Sequence, residues 1–139
     1  MTKVNTYINF RGQCEEALRY YEQHLGAKPM FMMKWNQMPD ADKHAPPGMA
    51  DKVLHTTFAL GDTQVMAADV PNAEPMRSAY LTLKVDSNEE AERIYKALAE
   101  GGQVFMEMGE TFFAHRFGQL RDRFGINWMI IHERPMPGE

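Results

Sequence analysis

The sequence predicts an α+β fold made of two pseudo-symmetric β-α-β-β-β modules, at about residues 3–70 and 78–133. Three observations support this prediction. The tripeptide Glu-Glu-Ala at 15–17 recurs at 89–91, each copy begins a segment with helical periodicity, and a strand with period-two alternation precedes each copy. A module of about 70 residues buries too little core to be stable alone. We therefore expect a single domain over residues 1–139, in which a concave mixed sheet carries the helices outside.

Two amphipathic helices are predicted at the repeated segments. Apolar residues recur at helical spacing and mark one face of each helix: Ala17, Tyr20, Tyr21 and Leu25 in the first, and Ala91, Ile94, Tyr95 and Ala99 in the second. Ser87 and Glu90 form a capping-box pattern that predicts the start of the second helix, whereas the first helix has no comparable cap. Gly26 and the pair Gly101–Gly102 predict where the two helices end.

The strand before each helix presents a polar and aromatic face on the side opposite the helix. Val4, Thr6, Ile8 and Phe10 alternate with Asn5, Tyr7 and Asn9, and in the second copy Leu81, Leu83 and Val85 alternate with Tyr80, Thr82 and Lys84. Further strands are predicted at 28–35, 53–60, 63–68, 103–108, 117–122 and 126–132. Two such faces turned inward predict an enclosed ligand pocket. The segment 36–51, which is long and irregular, is predicted to be either a lid or a surface loop.

Composition excludes several classes of function. A chain of 139 residues with a net charge of −4 offers no basic surface for nucleic acid. No apolar run approaches the ~18 residues that span a membrane, and the first residues lack a signal-peptide pattern. The lone Cys14 suits a reducing compartment, so we expect a cytoplasmic protein with no membrane partner. Twelve methionines and eight phenylalanines suit either an ordinary core or an adaptable cavity.

Three stretches of sequence carry a family resemblance: YINFRGQCEEALRYYEQHLGA near the start, GDTQVMAAD in the middle and ETFFAHRFGQLRDRFGINWMI near the end. Together they resemble the PhnB-like branch of the vicinal-oxygen-chelate superfamily, which includes glyoxalase I, extradiol dioxygenases and bleomycin-resistance proteins. The resemblance runs from about residue 5 to 131. It implies a glyoxalase-like fold and a homodimer. The sequence departs from the branch at Phe113, where Trp is frequent, and at Arg123, where Pro is frequent.

The superfamily usually holds a divalent metal through His and Glu side chains from four strands. In this sequence the corresponding positions fall on Asn5 in the first strand, Tyr80 in the fifth and Met129 in the last. The position on the fourth strand falls among residues 66–68, which are Met-Ala-Ala. Such side chains seldom hold Zn²⁺ or Ni²⁺ without stronger ligands. The resemblance therefore carries over the fold and the cavity, and we predict no metal site and no cofactor.

Seven residues are predicted to line the ligand pocket, from strand parity and from the segment that closes the cavity in the family: Tyr7, Trp35, His55, Tyr80, Phe113, His115 and Arg116. His55 matches a histidine that is common in PhnB-like proteins, and it is either a catalytic base or a buried structural histidine. Arg116 and His115 suit an anionic substrate, because guanidinium binds carboxylate or phosphonate in a bidentate way. A structural ion pair is the alternative for Arg116.

The function predicted from these residues is binding of a small organic molecule in an aromatic and Met-lined cavity, without the usual metal. The alternative is a metal-assisted lyase, isomerase or dioxygenase with a non-standard site, for which the candidates are His55, Asp69, Glu107 and His115. A helix dipole could lower the pKa of Cys14, but Glu15 beside it opposes a thiolate. A methyltransferase label is sometimes attached to this branch, yet the sequence lacks a glycine-rich adenosylmethionine loop.

A homodimer is also expected from the apolar strands predicted at the sheet edges. The residues concerned are Met30, Phe31 and Met32 in one copy, and Phe105, Met106 and Met108 in the other. Left uncovered in a monomer, they would form an apolar patch larger than soluble proteins usually expose.

Overall fold

The computed structural model describes residues 1–135. It divides into two compact units, Met1–Glu74 and Pro75–Glu139. The first unit contains β1 (Thr6–Phe10), α1 (Cys14–Leu25), β2 (Lys28–Lys34), a 3₁₀ turn (Trp35–Gln37), α2 (Ala41–His44), β3 (Val53–Leu60) and β4 (Thr63–Asp69). The second contains β5 (Leu81–Lys84), α3 (Asn88–Ala99), β6 (Gln103–Gly109), β7 (Ala114–Arg121) and β8 (Asn127–Glu133).

Each unit has one four-stranded mixed sheet with the same topology. The strand order is β1-β4-β3-β2 in the first unit and β5-β8-β7-β6 in the second. In both, the first strand pairs in parallel with the fourth, and the other pairs are antiparallel. The predicted α+β class with two β-α-β-β-β modules is confirmed.

Helix α1 covers one face of the first sheet. Alternate residues of the strands are buried on that face: Ile8 and Phe10 in β1, Phe58 in β3, and Val65 and Ala67 in β4. The helix contributes Ala17, Leu18 and Tyr21, each 2% exposed or less. Burial of each large apolar side chain contributes about 1.5–3 kcal/mol. The period-two pattern of these strands thus separates a helix-covered face from an open one.

The second sheet is covered in the same way by α3. Its buried face carries Leu120, Trp128 and Ile130, and the helix adds three more apolar residues, Ala91, Ile94 and Leu98. The indole Nε1 of Trp128 donates to the buried Asp122 at 2.8 Å. The other oxygen of Asp122 accepts the backbone N–H groups of Phe124 and Ile126 at 2.9 and 3.0 Å. Asp122, which lies in the family-like stretch near the end of the sequence, therefore shapes the β7–β8 turn.

The two helices begin in different ways. The Ser87 hydroxyl accepts the N–H of Glu90 at 3.1 Å, as its capping pattern predicts. Gln13 gives α1 no side-chain cap. Instead the carboxylate of Asp69, at the end of β4, accepts the N–H of Cys14 at 2.9 Å. A residue distant in sequence thus supplies the missing acceptor.

Some predicted boundaries differ from the structure. β7 begins at Ala114, three residues before the predicted start, because the family's closing segment continues directly into the strand. The predicted irregular segment 36–51 contains most of the 3₁₀ turn and all of α2. Within the described part of the chain, no helix combines the length and apolar character needed to cross a membrane.

Candidate functional site

Tyr7 and His55, two of the predicted pocket residues, lie together on the open face of the first sheet. The Tyr7 hydroxyl is 3.2 Å from Nδ1 of His55, and the ring centroids are 5.7 Å apart. On the other side of the imidazole, Nε2 lies 3.4 Å from the hydroxyl of Thr57. The three side chains form one hydrogen-bonded chain, which we call the Tyr7–His55–Thr57 chain. It links β1 to β3 on the face opposite α1.

Apolar and aromatic side chains surround this chain. The ring of Phe31 lies 6.3 Å from that of His55, and the sheet register places Met33 beside His55 and Met66 beside both Tyr7 and Thr57. Tyr7 is 48% exposed and Phe31 is 50% exposed. We call these six residues the first-sheet face. It offers accessible ring surface next to hydrogen-bonding groups, a combination typical of small-molecule sites.

The phenol of Tyr7 is neutral near pH 7. Burial raises the pKa of Tyr7 above its ordinary value of 10.0, and the charge of a Cys14 thiolate would raise it further. A protonated phenol can donate to an unprotonated ring nitrogen. When Tyr7 donates to Nδ1 of His55, the imidazole proton lies on Nε2 and points to Thr57. The chain is then fully paired in the neutral state of His55.

The hydrogen bonds of Trp35 are to the backbone and not to the Tyr7–His55–Thr57 chain. Its indole N–H donates to the carbonyl oxygen of Asp69 at 3.2 Å, and its backbone N–H donates to the carbonyl of Lys52 at 3.0 Å. Trp35 therefore ties the segment that follows β2 to the ends of β3 and β4.

In the second unit, Tyr80 belongs to an aromatic cluster. Its ring meets Phe105 edge to face, with centroids 6.4 Å apart. The guanidinium of Arg121 lies 5.3 Å from the centroid of the Phe105 ring and is fixed by hydrogen bonds to Asn127 and to the carbonyl of Met76. Phe113 packs separately, against Phe112 and Phe117 at 5.2 and 5.1 Å.

Arg116 and His115 are engaged by neighbours in the same unit. The guanidinium of Arg116 pairs with Glu92 of α3 at 3.1 Å and also donates to the carbonyl of His115. Of the two roles left open for Arg116, the structure contains the ion pair. The ring of His115 lies 4.8 Å from that of His132, whose Nδ1 donates to Asn88 at 2.8 Å. These contacts join β7 and β8 to the start of α3.

Two further candidates, Asp69 and Cys14, are buried and take part in contacts that hold the fold together. The side chain of Asp69 is 1% exposed, and its second oxygen accepts the N–H of Val53 at 3.0 Å. Cys14 is also 1% exposed. Burial, followed by the charges of Asp69 and Glu15, raises the pKa of Cys14 well above its usual range. This direction agrees with the expectation that Glu15 opposes a thiolate, and burial and Asp69 add to the effect. Glu107 is exposed on β6.

Cys14 should therefore be inert in the folded protein. We expect Ellman's reagent at pH 8 to label it at least about 100-fold more slowly than a free thiol, and to label it fully in denaturant, since the thiolate is the reactive form. The variant Ser78→Cys provides a control, because Ser78 is exposed. It should show one fast and one slow thiol, and rapid labelling of Cys14 in the wild-type protein would contradict this assignment.

The residues at the superfamily's metal positions do not fit a metal. Asn5, Tyr80 and Met129 offer an amide oxygen, a phenol and a thioether, without imidazole or carboxylate. The guanidinium of Arg121 contacts the same Phe105 ring as Tyr80, and this fixed positive charge opposes a cation there. Among the described residues, no group of three or more His, Cys, Asp or Glu side chains is placed to hold a metal ion.

Sequence reasoning did not assign Phe31 or Phe105 to a ligand face. Both lie in or beside irregularities of the sheet register, between Pro29 and Phe31 in β2 and between Val104 and Met106 in β6. A bulge changes which way side chains point, so simple alternation gives no signal for them. Thr57 shares the strand parity of His55, and that was the available signal for its position.

A family model described as 3-demethylubiquinone-9 3-methyltransferase matches residues 2–131. The chain belongs to this family. Protein YjdN of Escherichia coli K12 is 33% identical over 96% of this chain and 97% of its own length. The crystal structure of protein PA1353 from Pseudomonas aeruginosa is 38% identical, with a TM-score of 0.84 over 97% of this chain and 100% of that one.

More distant structures share the fold. A PhnB protein from Bacillus cereus is 24% identical, with a TM-score of 0.79 over 94% of this chain and 99% of that one. A glyoxalase/bleomycin resistance protein/dioxygenase domain from Frankia is 15% identical, with a TM-score of 0.63 over 96% of this chain and 99% of that one. The predicted glyoxalase-like fold is thus confirmed by these structures, and the family is the one that the family model describes.

Proposed function

We propose that this protein binds a small organic molecule on its aromatic and methionine-rich sheet faces, without a tightly held metal. The observation that carries the proposal is the first-sheet face, where two half-exposed rings, Tyr7 and Phe31, flank His55. A planar ligand gains apolar burial and ring stacking against such side chains, each aromatic pair contributing about 0.5–1.5 kcal/mol beyond burial. Met33 and Met66 beside them are flexible and adapt to ligand shape.

Binding fits the residues better than the alternative of metal-assisted lyase, isomerase or dioxygenase chemistry. Two candidates for that chemistry, Asp69 and His115, have structural contacts: Asp69 accepts two backbone N–H groups, and the ring of His115 packs against that of His132. The family description names a methyltransferase, but the sequence lacks a glycine-rich loop for a nucleotide-like methyl donor. We therefore place this chain with binding modules. We further propose that the two modules work as one cytoplasmic domain.

The experiment is a titration with aromatic fragments, followed by NMR shifts of the Tyr7 and His55 rings. Phe31→Ala should weaken fragment binding about two- to tenfold, because it removes one stacking surface. Phe112→Ala is the matched control, since Phe112 is 82% exposed and packs against Phe113 in the second unit. It should change affinity by less than about twofold. No ring shifts with any aromatic fragment would contradict the proposal.

The metal content of the purified protein tests the second half of the proposal. We expect less than about one-tenth equivalent of Zn, Ni, Mn or Fe in protein prepared without an affinity tag, on the basis of ligand chemistry. Incubation with each metal should leave the melting temperature unchanged, because a ligand stabilises only the state that binds it. Near-stoichiometric metal that survives dialysis and raises the melting temperature would show that a different set of ligands exists.

We also propose a homodimer. Both β2 and β6 are edge strands of their sheets, and they expose apolar side chains, with Met30 at 60%, Val104 at 39% and Met106 at 46%. Light scattering at low micromolar concentration should give twice the 16.0 kDa of one chain. Met30→Lys combined with Met106→Lys should shift the mass toward one chain, whereas Met1→Lys, at another exposed methionine, should not. A wild-type mass of 16.0 kDa throughout would refute the dimer.

A further inference from the structure

We propose that the Tyr7–His55–Thr57 chain is a binding site for the anionic oxygen of a planar organic acid, and that binding is coupled to uptake of one proton by His55. This inference rests on the proposed function and specifies the ligand's chemistry. The geometry behind it is the placement of one imidazole between two hydroxyls, 3.2 Å from Tyr7 and 3.4 Å from Thr57.

The protonation state of His55 sets the direction of the hydrogen bonds in this chain. In either neutral tautomer of the imidazole, one ring nitrogen accepts from a hydroxyl and the other donates to the second hydroxyl, so only one of the two hydroxyls has its hydrogen free. In the imidazolium, both ring nitrogens are donors. Tyr7 and Thr57 then both accept from the ring, and both hydroxyl hydrogens turn away from it. Protonation therefore raises the number of available hydroxyl donors from one to two.

Two hydroxyl donors beside a positive charge suit an anionic oxygen. Hydrogen bonds to an ionised acceptor are roughly twice as strong as neutral ones, and the imidazolium adds attraction at short range. The phenol of Tyr7 keeps its proton under these conditions, because its pKa is raised by burial. A carboxylate or phenolate on a flat ring would place its oxygen at the hydroxyls and its ring against Phe31.

The groups around His55 do not supply a competing charge. Tyr7 faces it from β1, Met33 and Phe31 from β2, and Thr57 from β3 itself. On β4, the register places the uncharged Met66 between Tyr7 and Thr57. Lys34, which follows Met33, is paired at 3.6 Å with Glu15 of α1. Within residues 1–135, His55 forms no ion pair, so an incoming anion would be its first charged partner.

The test uses benzoate as probe, with benzamide as a neutral analogue of the same shape and acetate as a carboxylate without a ring. We expect benzoate to bind with a dissociation constant on the order of 1 mM, and about tenfold more tightly at pH 6 than at pH 8. Histidine is the side chain whose charge changes between about pH 5 and 8, whereas benzoate stays ionised at both values. Calorimetry in two buffers of different ionisation enthalpy should show uptake of up to one proton at pH 8. Benzamide and acetate should bind at least fivefold more weakly than benzoate at pH 6.

Three variants connect the effect to the chain. His55→Gln should abolish the pH dependence, and Thr57→Val and Tyr7→Phe should each weaken benzoate binding at pH 6 about three- to tenfold while leaving benzamide little changed. The matched controls are His44→Gln in α2 and Thr63→Val at the start of β4, both exposed and both in the first unit. The controls should retain the affinity and pH dependence of the wild-type protein.

The outcomes separate this inference from the proposed function. Equal binding of benzoate and benzamide without pH dependence would overturn the inference and leave the proposed function standing. A pH dependence of benzoate affinity that persists in His55→Gln would also overturn the inference, because the proton would then bind at another residue. If no aromatic compound shifts the Tyr7 and His55 rings, the proposed function itself fails. The comparisons of ligands use the wild-type protein, so they remain decisive if one variant does not fold.

Discussion

Replacing Asp69 by alanine should lower the free energy of unfolding by about 3–5 kcal/mol. The carboxylate accepts the N–H of Cys14 at 2.9 Å through one oxygen and the N–H of Val53 at 3.0 Å through the other. Hydrogen bonds to a charged group contribute about 1.5–3 kcal/mol each, and both donors would be left buried without an acceptor. A loss of this size is a large fraction of the 5–15 kcal/mol that stabilises a typical domain.

Urea unfolding and amide exchange check this prediction. The Cys14 and Val53 amides should lose protection first, because the carboxylate holds the start of α1 to the start of β3. Asp62→Ala is the control, since Asp62 lies in the exposed turn between β3 and β4, and its effect should stay within about 0.5 kcal/mol. Equal effects of the two substitutions would show that the two hydrogen bonds of Asp69 contribute no more to stability than an exposed carboxylate does. Asp69→Asn should be intermediate, because the amide keeps only one acceptor oxygen.

The role of Asp69 also shows which kind of contact the sequence does not predict. The sequence indicated that α1 lacked a side-chain cap, and this is confirmed at Gln13. It could not indicate that the acceptor comes from the end of β4, because that contact joins positions 55 residues apart in the chain. Local patterns predict caps from neighbouring residues, such as Ser87 and Glu90. Contacts between distant elements depend on sheet topology, which fixes them only after the strands have paired.

The fold was predictable because each module repeats one alternation of apolar and polar residues. Ile8 and Phe10 are buried, whereas Tyr7 and Asn9, which alternate with them, are exposed, as period two requires. The alternation is interrupted by bulges in the edge strands, so the sequence pattern does not predict which way side chains point there. The bulge that precedes Phe31 in β2 turns this ring toward His55. The candidate site was thus predictable at Tyr7 and His55 and not at Phe31.

Arg116 shows a different limit. Its position within the segment that closes the cavity in the family, residues 111–118, predicted a role with an anionic ligand, and a structural ion pair was the alternative. The pairing with Glu92 depends on how α3 lies against β7, which the sequence pattern of either element alone does not contain. A charged residue on one of two packed elements can pair with a charge on the other element or with a ligand. Which pairing forms depends on differences of a few ångströms in the distance between the charges. In the Tyr7–His55–Thr57 chain the situation is reversed: the hydroxyls and the imidazole are joined by hydrogen bonds, and no charged partner lies among residues 1–135.

Gly102→Ala should be the most disruptive substitution among the glycines within residues 1–135. The first glycine of the pair that ends α3, Gly101, has a φ of 74°, in the left-handed region that favours glycine. Gly102 is needed for a different reason. A Cβ at Gly102 would lie 2.3 Å from the carbonyl oxygen of Arg121 and 3.0 Å from Cα of Asp122. Both are backbone atoms, so the clash cannot be relieved by rotation of a side chain.

We expect Gly102→Ala to lower the free energy of unfolding by about 3 kcal/mol or more, since overpacking against rigid neighbours costs typically 1–3 kcal/mol and occasionally more. The end of β7 would have to move, and Asp122, which holds Trp128 and the β7–β8 turn, would move with it. Near-ultraviolet circular dichroism should therefore report a changed tryptophan environment as well as a lower urea midpoint. Gly109→Ala at the end of β6 is the matched control, because the nearest atom to its added Cβ is 3.9 Å away. A control as damaging as Gly102→Ala would mean that loss of glycine flexibility, and not the approach of β7, determines the effect.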